Sequence, residues 1–72
     1  MSVDAHVRAI RKAMAAVMRE RGLSPKRWEA EAGVASRVVG KFLSGARGDI
    51  QLRSLIKLAR AADVGLEKLL GL

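Results

Sequence analysis

Arg37, Lys41 and Arg47 stand in a stretch that holds no acidic residue between Glu31 and Asp49. Cationic groups gathered without a neighbouring carboxylate attract a polyanion. Their chemistry differs: a guanidinium forks onto two acceptors, as on a phosphate or on O6 and N7 of guanine, whereas an ammonium is a point charge. On a helical wheel of about 100° per residue, Val38, Val39, Phe42 and Leu43 fall on one side, and Arg37, Gly40, Lys41 and Ser44 on the other. A short helix with an apolar back and a cationic, hydroxylic front has the form of a major-groove reader. Catalysis lacks its parts. There is no Cys, His6 is the single His, and neither clustered carboxylates nor a P-loop type glycine run is present. The expectation is a non-enzyme with no metal, no cofactor and no small-molecule ligand.

Such a front must be held from behind, and 72 residues leave room for one domain, spanning 1–72, with a single small core. Ala, Leu and Val dominate and only Trp28 and Phe42 are aromatic, which favours helices packed closely through small residues. The expected class is all-α. A formal charge of +7, from 14 Lys and Arg against 7 Asp and Glu, favours nucleic acid or an acidic surface as partner. No continuous apolar run reaches the ~18 residues of a membrane span, and Arg8, Arg11 and Lys12 interrupt the N-terminal segment before a signal-like apolar region forms. The expectation is a cytoplasmic protein without a membrane partner.

Periodicity divides the chain into five helices. In Met1 to Arg21, Val3, Val7, Ile10, Met14, Val17 and Met18 form one stripe, with Gly22 as the stop. Arg8, Arg11, Lys12 and Arg19 fall off it and read as a solvated face. Ser24-Pro25 starts helix two, since a hydroxyl accepts from an orphan amide and Pro lacks only a donor that is unused there. Trp28 and Ala32 give that helix its core face. Gly33 supplies a tight turn, and the third helix begins around Ala35 or Ser36. After a loop from Gly45 to Asp49, the stripe Leu52, Leu55, Ile56, Ala59 and Ala62 makes helix four, capped by Asp49 or Gln51, with Arg53, Lys57 and Arg60 on its exposed side. Leu66, Leu69 and Leu70 make a last short helix.

The run Gly22-Leu23-Ser24, Trp28, Ala32-Gly33-Val34, Phe42-Leu43-Ser44-Gly45, Leu55, Leu58-Ala59-Arg60-Ala61, Val64 and Leu69-Leu70 resembles the Cro/phage-repressor type (XRE family) of DNA-binding domains. The resemblance covers roughly residues 5 to 71, with the elements in the right order and spacing. It implies a compact five-helix, lambda-repressor-like fold with a helix-turn-helix made of helices two and three. It also implies a sequence-specific regulator of transcription that reads the major groove of double-stranded DNA with the helix at about 36–44, as a homodimer on its site. Carried over residue by residue, it puts Ala35, Ser36, Arg37 and Lys41 at base edges, and Pro25, Lys26, Ser44 and Arg47 where the family meets phosphate.

This chain departs from the pattern at three places. Pro25 stands where the family commonly has Gln, which removes a donor that Lys26 replaces. Glu29 stands where a small residue usually packs the two motif helices together, so its carboxylate must reach solvent or find a cation. Ala35 replaces a frequent Ser, leaving Ser36 to cap the third helix. Gly40 either lets another backbone approach or only weakens the helix, and Arg47 is either a phosphate contact or an idle loop charge. The alternative function is an antitoxin-like or adaptor module that docks an acidic protein, with DNA binding secondary; its mark is an exposed apolar patch. RNA is disfavoured by the absence of spare aromatics for stacking.

Overall fold

A computed structural model describes residues 3–72 and contains five α-helices: α1 (Val3–Arg21), α2 (Pro25–Ala32), α3 (Val38–Ser44), α4 (Leu52–Ala61) and α5 (Leu66–Leu69). The described residues include no strand. Met1 and Ser2, the expected start of the first helix, lie outside the described residues. The local signals account for most boundaries. Ser24 caps α2, its hydroxyl accepting from the Arg27 amide at 3.1 Å, and Pro25 follows at the first helical position. Gly33 ends α2 in the left-handed region at φ 73°, where an L side chain is strained.

α2 packs on α4 and α3, α1 on α5 and α3, and α4 on α5. The core between them is Met14 and Val17 of α1, Trp28 of α2, Val39 and Phe42 of α3, Leu55, Leu58 and Ala59 of α4, Ala62, and Leu69 of α5. Trp28 is fully buried, as its spacing implies, and its indole Nε1 donates to the Leu58 carbonyl at 2.9 Å. That bond satisfies the one polar atom of the ring and ties α2 to α4. The Cα radius of gyration, 10.9 Å, is close to the roughly 11 Å of a compact chain this long. Among the described residues, no helix is long and apolar enough to cross a membrane.

The structure departs from several expectations. The third helix starts at Val38, not at Ala35 or Ser36, because residues 36 and 37 form a turn and Arg37 takes the cap position in left-handed backbone. On α4 the buried line is Leu55, Leu58, Ala59 and Ala62, while Leu52 and Ile56 are 59% and 39% exposed. Leu58 sits nearer the centre of the inward face, so Leu52 and Ile56 are turned to its flank. Val3 likewise does not join the core, being 77% exposed one turn before the helix meets its neighbours. Gln51 holds the cap position of α4, but its side chain makes no cap bond.

Arg11, too, departs from expectation, because it is not part of a solvated face. It is partly buried, its Nε donates to the Phe42 carbonyl at 2.7 Å, its Nη2 donates to the Arg47 carbonyl at 2.9 Å, and its guanidinium lies 4.9 Å from the centre of the Phe42 ring. A cation at the C-terminal carbonyls of a helix is favourably placed. Arg11 therefore fastens the end of α3 and the loop after it onto α1.

Candidate functional site

α3 has seven residues, too few to hold a helix by propensity alone. Val39 and Phe42 are fully buried and fix its back to the core. Its N-terminal amides are satisfied by a residue of another helix. Glu29 of α2, only 5% exposed, accepts from the Arg37 amide through Oε1 at 2.9 Å, and from the Val39 and Gly40 amides through Oε2 at 2.7 and 3.2 Å. A capping side chain normally takes the amides two and three positions into the helix, and a capping box also returns an acceptor to the cap residue's own amide. Glu29 does both from α2. This corrects two expectations: the carboxylate finds neither solvent nor a cation but backbone N–H groups, and Ser36 does not cap the helix.

The front of α3 borders a groove against the start of α2, lined by Pro25, Lys26, Glu29, Arg37, Gly40, Lys41 and Ser44. Four of the sequence-predicted contact residues, Lys26, Arg37, Lys41 and Ser44, thus meet on one surface. Lys26, Arg37 and Lys41 are exposed. The ion pairs among the described residues are Arg27 with Glu31 at 3.7 Å and Lys68 with Glu20 at 3.0 Å, so none of the groove's cations is neutralised by a carboxylate. The one acid in the groove, Glu29, is engaged below by amides. Gly40 is not required by packing, since a methyl group added there meets no atom within 4 Å. Its missing side chain leaves the middle of the groove open.

Ala35 and Arg47 do not belong to this groove. They line a second cleft on another side of α3, together with Val38, Ile50, Arg53 and Lys57. Ser36 is exposed in the turn and lines neither. Arg53 and Lys57, read from sequence only as a surface face, share the cleft with Arg47; their four-residue spacing on a helix was the signal that they act together. The hydroxyl of Ser44 donates to the Lys41 carbonyl at 3.1 Å and accepts from the Ala46 amide at 3.4 Å, which closes the turn after α3. To meet a phosphate, that hydroxyl must rotate away from Lys41.

No family model, curated protein or solved structure matches this chain. Two alkylammonium groups, a guanidinium and a hydroxyl on the front of a short, buttressed helix suit a ligand that presents phosphates at the edges and hydrogen-bond acceptors between them.

Proposed function

We propose that this chain is a sequence-specific double-stranded DNA-binding regulator of transcription, acting in the cytoplasm, with a lambda-repressor-like fold in which α2 and α3 form the helix-turn-helix. One observation carries the reading: Lys26, Arg37 and Lys41 converge on the exposed front of α3, and none of them has an ion-pair partner among the described residues. In this reading α3 enters the major groove. Arg37 and Lys41 face base edges, Lys26 and Ser44 meet phosphate on one side, and Arg47 meets phosphate on the other, with Arg53 and Lys57 beside it. Ala35 and Ser36, at the leading turn, contact bases only at its edge.

A seven-residue helix reads few base pairs, so two copies bind together on sites about 34 Å apart. A chain with extents of 32 × 23 × 21 Å fits that spacing side by side. The exposed pair Leu52 and Ile56, one turn apart on α4, supplies apolar surface for the second copy. The same pair supports the second reading, an adaptor or antitoxin-like module in which α4 docks a different protein.

Selection of bound duplexes from a random pool separates the two. An enriched inverted repeat is the expected result; enrichment of nothing favours the protein-binding module. On the selected site, Arg37→Ala should cost about 1–3 kcal/mol and relax one base pair. Arg47→Ala should weaken all duplexes alike and flatten the log–log salt dependence by about one unit.

A further inference from the structure

Two described residues other than glycine have positive φ, Arg37 at 72° and Asp63 at 56°. Asp tolerates the left-handed region because its short side chain bonds locally; Arg gains nothing of the kind. Strain of this sort persists only where surrounding contacts over-determine it, and it gathers at working sites. At Arg37 the determining contacts come from Glu29. Its own amide is held by Oε1 of Glu29, and the amides of Val39 and Gly40, two and three positions on, are held by Oε2.

We infer that Glu29 is a specificity-determining positioning residue, which acts on the ligand through Arg37 and touches no base itself. This inference rests on the DNA-binding reading above. The carboxylate fixes the peptide before Arg37 and the first turn after it, so the Cα–Cβ direction of Arg37 is set from both sides. A bidentate contact to a base tolerates little error in that direction, because both N–H groups must meet their acceptors at once. A phosphate contact tolerates far more. Loss of the carboxylate lets the backbone at Arg37 relax to an ordinary region and swings its long side chain off the line set by the groove. Lys26, Lys41 and Arg47 keep their places. The signature of Glu29 is accordingly loss of discrimination without loss of electrostatic attachment.

Burial suits this role. Glu29 lines the floor of the groove but is 95% covered and shared among three amides, so it directs the turn without presenting a free carboxylate to a phosphate. The carboxylate also lies at the N-terminal, positive end of the α3 dipole.

The test compares the wild type, Glu29→Ala, Glu29→Gln, Arg37→Ala and the Glu29→Ala/Arg37→Ala double variant. Each is titrated with the selected duplex and its single-mismatch versions at several salt concentrations. Backbone amide exchange is followed in parallel. Glu29→Ala is expected to lower the preference at the base pair read by Arg37 by about 10–100-fold, with the salt slope unchanged. In the Arg37→Ala background the same change should alter that preference less than about twofold, since residues acting as one unit are not additive. Exchange should quicken at Arg37, Val39 and Gly40 above all. Glu29→Gln keeps the length and one acceptor oxygen, so it carries the test where Glu29→Ala does not fold; it should lose part of the preference. Uniform weakening of all duplexes, or additive losses in the double variant, overturns the inference while leaving DNA recognition standing. A wild type that distinguishes no duplexes overturns the DNA reading, and the inference with it.

Discussion

The two ends of α3 are held by side chains of opposite charge, and the difference between them separates aiming from anchoring. At the N-terminal end a buried carboxylate from α2 takes three amides, all within the turn that presents Arg37. At the C-terminal end a half-buried guanidinium from α1 takes two carbonyls, one ending the helix and one in the loop that carries Arg47. Each sign matches the helix dipole at its end. The first clamp governs the direction of an exposed groove side chain; the second governs the place of a loop cation.

The largest expected effect is on what both clamps presuppose. Trp28→Ala removes a fully buried ring beside Glu29 and should cost about 3–5 kcal/mol. In a domain this small that is enough to unfold it, and a denaturation midpoint close to wild type would show that α3 is held by its ends rather than by the core. Trp28→Phe is milder. The Leu58 carbonyl keeps its bond from the Ala62 amide at 3.1 Å, so losing the indole donor strands no acceptor.

Next in size is the C-terminal clamp. Arg11→Met keeps the apolar stem and removes two hydrogen bonds, and should cost about 1–2 kcal/mol by chemical denaturation. On DNA it should act like Arg47→Ala in form, with a flatter salt dependence and intact base preference. Loss of base preference instead would erase the distinction between the two ends.

The smallest effect has the opposite sign. Gly40→Ala should stabilise the free protein by up to about 1 kcal/mol, because the added methyl meets open space inside a helix. Any weakening of duplex binding by that variant then measures how closely DNA approaches the groove floor. Equal or tighter binding would show that Gly40 faces no ligand.

The sequence disclosed the front of α3 but not its mounting. Ser24, Pro25 and Gly33 act on neighbours a few residues away, so their signals are local and the start and end of α2 were legible. Trp28, Met14, Val17 and Phe42 were legible as core because large apolar groups at helical spacing have one place to go. The start of α3 was not legible, since its cap lies eight to eleven residues back, in the middle of another helix. Arg11 had the composition of a surface residue, and only contacts 31 and 36 residues away distinguish it from Arg8 or Lys12. On α4, apolar residues outnumber the places on the inward face, and periodicity does not say which of them yield. That Lys26, Arg37, Lys41 and Ser44 share a groove, Ala35 and Arg47 a separate cleft, and Ser36 neither, required the fold.

The two clamps also differ in how much chain must be gathered before they close. Glu29 and Val39 are ten residues apart, whereas Arg11 and Phe42 are separated by 31. With closure entropy growing as about 1.5 RT times the logarithm of loop length, the longer closure costs roughly 1 kcal/mol more. The hairpin of α2 and α3 is thus the low-contact-order part of the molecule and the natural place for its folding nucleus, while the docking of α1 across the far end of α3 belongs to the later, native side of the barrier. Substitutions at Glu29 should then slow folding, and those at Arg11 should chiefly speed unfolding.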